Sequence, residues 1–149
     1  MRRLTRLLRL PRAEQWILIQ AVLLLPLVAV LLRTIGLARC WALLRPHLLT
    51  PSPQRGEGER HATTVRMVDV AARHLPWQPT CLPRSLVLLF LLRRQGVPAE
   101  LRIGVQKRQQ QLEAHAWVEV DRRVVNDAPD IAAEYQPFEN IADALRATP

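Results

Sequence analysis

A chain of 149 residues, 49% of them hydrophobic, can bury one core and has little length for a second independent domain. Its net charge of +8 comes from arginines and a single lysine, Lys107; the charge favours anionic partners, and the arginines lack the interleaved aromatics of a stacking platform, which argues against nucleic acid. Two cysteines, Cys40 and Cys81, exclude a disulfide framework, and no CxxC, HExxH, glycine-rich phosphate loop or carboxylate cluster points to a zinc enzyme, a P-loop or a glycosidase.

In chain order, a basic stretch from Arg2 to Arg12 leads into an apolar run from Trp16 to Leu32 that is broken only by Gln20 and carries Pro26 at its middle. Seventeen helical residues reach about 25 Å, short of the roughly 30 Å of a hydrocarbon core. Arginines flank the run on both sides and no small-residue cleavage site follows it. The expectation is a buried or interface-covering helical hairpin over residues 1–50, with residues 13–35 offering a peripheral membrane contact. Residues 51–60, rich in proline, glycine and charge, read as a linker.

Residues 61–149 are expected to form the core that carries the chemistry. Val65, Val68, Ala71, Ala72 and Leu75 recur at helical spacing and predict an amphipathic helix ending before Pro76. A second helix runs from about Cys81 to Gln95, with Thr80 as N-cap, Pro83 in the first turn and Gly96 just past the end. It is apolar all round from Leu86 to Leu92 and is expected to be the buried central helix.

After Pro98 the period changes to alternation. Ala99, Leu101, Ile103 and Val105 share one strand face; a polar turn at Lys107–Gln111 follows; then Leu112, Ala114, Ala116, Val118 and Val120 share a face, opposed by His115, Trp117 and Glu119. Val124 to Asn126 is expected as a third strand ending at Asp127, and residues 140–147 as a short helix.

These elements bring together a cysteine at a helix N-terminus, a histidine in a following strand and an aspartate at the end of the next. The helix dipole and free N–H groups favour a thiolate at Cys81, and the turn from Trp77 to Cys81 is a natural oxyanion hole. His115 is placed to take the thiol proton and return it to the leaving amine, while Asp127 orients the ring. Trp77, Gln78 and Trp117 are the candidate lining of the oxyanion hole and substrate groove. Asp130 is the reserve carboxylate, Cys40 reads as an inert buried thiol, and His47, His61 and His74 read as exposed or capping residues. Asp127 reaches the face of His115 if the hairpin turn spans Asp121, Arg122 and Arg123, or if a bulge has the same effect; a two-residue turn puts it on the other face.

PWQPTCLPRSLVLLFLLRRQGVPAELRIGVQK followed by LEAHAWVEVDRRVVND closely resembles the transglutaminase-like leader peptidase of lasso-peptide biosynthesis, the C-terminal half of the B-protein. The resemblance covers about residues 65–138, and carried over residue by residue it puts the nucleophile on Cys81, the base on His115 and the carboxylate on Asp127. It implies an α+β papain/transglutaminase-like fold and a cytoplasmic cysteine peptidase that cuts a precursor peptide at one bond and needs no cofactor. It further implies a separate leader-recognition protein and an ATP-dependent macrolactam cyclase as partners. The rivals are amine transfer from the same acyl-enzyme, and a non-catalytic membrane-associated binding module. Arg122 stands where the family often has glycine, which disfavours a tight primed turn.

Overall fold

The computed structural model describes residues 11–48, 58–108 and 111–138. Helices α1 (Arg12–Thr34), α2 (Gly36–Leu48), α3 (Gly58–His74) and α4 (Cys81–Arg94) are followed by β1 (Ala99–Arg108), β2 (Gln111–Val120) and β3 (Arg123–Val124). A single-turn helix α5 (Ile131–Glu134) and a two-residue strand β4 (Gln136–Pro137) complete the described chain. The expected helix over residues 140–147 and the side chain of His47 lie outside the described residues.

The strands form one antiparallel sheet in the order β3-β2-β1-β4. The β1–β2 register pairs Leu101 with Val118 and Ile103 with Ala116, so the alternation in both strands puts their apolar residues on one face. Helix α4 covers that face and lies at the centre of the fold, with eight of its own residues from Pro83 to Leu92 buried, Leu86 and Leu92 fully. This is the mixed helix-and-sheet architecture expected of a papain/transglutaminase-like α+β core.

The ends of α4 follow from local chemistry. Thr80 occupies the N-cap with extended dihedrals, but its side chain makes no capping bond; such a side chain bonds the second or third amide of the helix, and Pro83 removes the third. At the other end Gly96 turns left-handed at φ +79°. Val97 N–H then donates to Leu92 O and Gly96 N–H to Arg93 O, both at 3.0 Å, the paired bonds of a glycine-terminated helix. Val97 and Leu92 both lie in the core, so the stop signal also seeds packing.

The N-terminal helices join the core, the buried form of the hairpin expected over residues 1–50. Ala21, Leu25 and Val28 of α1 and Cys40 of α2 are buried in the same cluster as Val68, Leu86 and Val118, and the linker expected over residues 51–60 gives way at Gly58 to α3. Within the described residues the expected division at 50–60 therefore separates no two cores. α1 is also longer than the apolar run suggested: its 23 residues span about 35 Å, because Arg12 to Gln15 and Arg33 to Thr34 extend the helix at its ends.

Candidate functional site

Cys81 is the first residue of α4 and is half-buried. Because Thr80 leaves the helix tip uncapped and Pro83 has no N–H, the amides of Cys81 and Leu82 are the donors that remain there. Directly before them, Trp77, Gln78 and Thr80 line a cleft of about 520 Å³ with Leu82, Pro26 and Val30. Trp77 and Gln78, expected to line the oxyanion hole and substrate groove, lie side by side in the wall of this cleft, and Cys81 is not among its lining residues.

His115 lies in β2, and its Nε2–H donates to Asp127 Oδ2 at 2.8 Å. Asp127 Oδ1 in turn accepts from Ala128 N–H at 2.8 Å, so both carboxylate oxygens are engaged and the carboxylate plane is fixed. With Nε2 committed, Nδ1 is the ring nitrogen left for a thiol proton. Among the described residues no hydrogen bond joins Cys81 Sγ to His115: the imidazole and carboxylate are together and the thiol stands apart from them.

The hairpin turn departs from expectation. Val120 pairs with Arg123 and Glu119 with Val124, so the turn has two residues, Asp121 and Arg122, at φ +50° and +62°. Both positions are left-handed, as a primed hairpin turn requires, without the glycine that usually serves there. In that register a continued ladder would send Asp127 to the face away from His115. The ladder instead ends at Val124. Val125 N–H still donates to Val118 O at 3.0 Å, but Val118 N–H is taken by the side-chain oxygen of Asn126 at 2.8 Å. The side chain of Asn126 replaces a backbone acceptor, the chain leaves the sheet, and Asp127 swings to His115 as a bulge would have brought it.

Asn126 also ties the sheet to the helix. Its Nδ2 donates to Ser85 Oγ at 2.9 Å, and Ser85 Oγ donates to Ala116 O at 2.9 Å. Ser85 is fully buried and sits one turn, about 6 Å, beyond Cys81 on α4. Ala116 is next to His115 and Asn126 next to Asp127, so a buried polar triangle underlies the three candidate residues. Sequence reasoning passed over both Ser85 and Asn126; the serine four residues after the cysteine and the asparagine beside the aspartate were the available signal.

Trp117 corrects one expectation. Its side chain is 0% exposed, with the indole N–H donating to Glu119 Oε1 at 2.9 Å, while Glu119 Oε2 accepts from Arg102 Nε at 3.1 Å. A residue so enclosed lines no groove. It fills the space over Gly104, where a Cβ would come within 2.9 Å of the indole and 3.0 Å of Tyr135 Cβ. Tyr135 closes over this face, its ring 5.1 Å from that of His115, so the imidazole is held laterally by Tyr135 and at its edge by Asp127.

On its far side Asp127 borders a second cleft of about 680 Å³, with Asn126, Arg84, Asp69, Arg66 and His61 among its walls. Arg84 and Arg73 both pair with Asp69, at 3.1 and 2.7 Å, so most of the charge there is already balanced. His74 bonds Val70 O through Nδ1 at 2.8 Å, and Asp130 sits as an exposed N-cap position of α5, away from the imidazole's bond. Cys40 is fully buried, and burial pushes its thiol pKa up. Among the described residues no cluster of His, Cys, Asp and Glu could hold a metal ion.

Residues 21–140 match the family described as the transglutaminase-like superfamily. No curated protein and no solved structure matches the chain.

Proposed function

The chain belongs to the transglutaminase-like superfamily, whose chemistry is cysteine-peptidase or acyl transfer, and on that premise we propose that it is a cysteine peptidase that removes the leader from a lasso-peptide precursor. Cys81 is the nucleophile, His115 the general base and acid, and Asp127 the orienting carboxylate. The observation that carries this reading is the 2.8 Å contact between His115 Nε2 and Asp127 Oδ2, which leaves Nδ1 for the thiol.

The reaction runs in two halves. The Cys81 sulfur attacks the carbonyl carbon of the scissile peptide bond while its proton passes to His115 Nδ1, and the carbonyl oxygen takes up the charge near the amides of Cys81 and Leu82. The C–N bond then breaks as His115 returns the proton to the departing amine, the N-terminus of the core peptide. Water, deprotonated by His115, attacks the thioester, and the leader leaves with a free carboxylate as the proton goes back to sulfur. The hydrogen bond between Sγ and Nδ1 that this needs is not made in the free protein and forms when substrate is bound, as catalytic groups commonly come together only in the substrate complex.

The precursor arrives on a separate leader-recognition protein, in the cytoplasm, beside an ATP-dependent cyclase that closes the macrolactam. The support is the resemblance of residues 65–138 to such peptidases. The test mixes the purified protein, its recognition partner and synthetic precursor, with mass spectrometry as readout. Free leader and free core as the only products support the reading; an amine conjugate of the leader shows transfer instead, and intact precursor refutes it.

A further inference from the structure

Helix α1 buries only one side. At 3.6 residues per turn, Ala21, Leu25 and Val28 face the core, while Trp16, Ile19, Leu23, Leu27 and Val30 fall along the opposite side. All five are exposed, Trp16 by 63% and Leu23 by 66%. A row of large apolar side chains some 21 Å long, open to solvent, is more than scattered surface hydrophobicity.

The charges around this row identify what it meets. Arg12 and Arg33, both exposed, lie at its two ends on the same side of the helix, and neither is in an ion pair among the described residues. The only acid in residues 1–50 is Glu14, which points to the other side and is held by Arg66 at 2.8 Å. Residues 1–50 carry eight arginines against that one acid, so seven of the eight net positive charges lie in this third of the chain.

From these observations we propose that the exposed side of α1 docks in the plane of an anionic lipid surface. An apolar face with arginines at its margins and tryptophan near one end is the pattern of an interfacial helix, in which acyl chains receive the apolar row and lipid phosphates receive the guanidinium groups. The helix lies along the surface and does not cross it. Although it is long and apolar enough to span a membrane by those criteria alone, spanning would pull Ala21, Leu25 and Val28 out of the core they share with α3 and α4. The docked protein keeps its cleft before Cys81 close to the lipid, because Pro26 and Val30 form one wall of that cleft.

The test is sedimentation of the full chain with vesicles of phosphatidylcholine alone and of phosphatidylcholine mixed with phosphatidylglycerol. The protein is expected in the pellet with the mixed vesicles, released by high salt. The Leu23→Glu/Leu27→Glu variant is expected to bind at least about tenfold more weakly, and Arg12→Gln/Arg33→Gln to weaken binding to mixed vesicles roughly tenfold or more. Circular dichroism checks that both variants keep their helices, and the arginine pair, both of whose members are exposed, carries the test if the glutamate pair unfolds. Absence from both pellets overturns the proposal, as does equal binding by the wild type and the arginine variant. Sedimentation that requires the recognition protein, without binding of the free chain to either vesicle, overturns it in favour of a protein-docking face.

Discussion

Asn126 stands between Val118 and Ser85, accepting the backbone N–H of the first at 2.8 Å and donating to the hydroxyl of the second at 2.9 Å. One amide side chain thus ends a strand and fastens the sheet to the central helix, and Asp127, the next residue, takes its direction from it.

Replacing Asn126 with alanine removes both bonds and leaves a sheet N–H and a buried hydroxyl short of a partner. Loss of one such partner costs about 1–3 kcal/mol, so Asn126→Ala is expected to lower stability by that order in urea denaturation. It is also expected to slow precursor cleavage further than the fraction unfolded explains, because Asp127 loses its anchor. Cleavage that tracks only the folded fraction would limit Asn126 to a structural part.

Asp127→Asn retains the size of the side chain while giving up the charge that stabilises an imidazolium and the acceptor that fixes its tautomer. The expected loss in kcat is roughly two to four orders of magnitude, with a denaturation midpoint near that of the wild type. A variant with unchanged kcat would remove the carboxylate from the mechanism.

The turn at Asp121 and Arg122 holds two non-glycine residues in the left-handed region, a conformation costing of order 1 kcal/mol each. Arg122→Gly is therefore expected to stabilise the fold by up to about 1 kcal/mol, allowing for the larger entropy of glycine in the unfolded chain, and to raise Tm by a few degrees. A fall in Tm would mean that the arginine side chain contributes more than its backbone strain takes away.

Cys40 and Cys81 differ in what surrounds the sulfur. Cys40 is enclosed by the core and its thiol is held protonated by burial, so alkylation by iodoacetamide is expected at Cys81 alone until the protein is unfolded, as peptide mass mapping would record. Because the pKa of Cys40 is raised in the folded state, its contribution to stability is present at neutral pH and is lost as pH climbs past the ordinary thiol range. The decline above that range is expected to be shallower in Cys40→Ala. Equal labelling of both cysteines in the native protein would contradict the burial.

What could be read from the chain divides along the range of the forces involved. The extent of helix α4 was legible, because Pro83 and Gly96 act on their own neighbours and the apolar run from Leu86 to Leu92 needs no partner to be recognised, although Thr80 stands at the N-cap without the side-chain bond expected of it. The β1–β2 hairpin was legible by alternation. The two-residue turn was not, since local preference at Arg122 opposes the left-handed backbone that sheet pairing imposes on it. Nor was the route by which Asp127 reaches His115, which depends on Asn126 meeting Ser85 from a position 41 residues away. Trp117 was assigned to a groove from its place beside His115, whereas Gly104 across the strand and Tyr135 from the returning chain bury it. That the N-terminal helices would be buried or cover an interface was legible, but which side of α1 is covered was not, because an all-apolar helix does not declare it.

The proposed chemistry stands on the sulfur of Cys81 forming the bond to the substrate. The most direct test is mass spectrometry of precursor incubated with recognition protein and either the wild-type chain or Cys81→Ala. Leader and core are expected from the wild type, and intact precursor from a folded Cys81→Ala. Cleavage by that variant at the wild-type rate would contradict that chemistry.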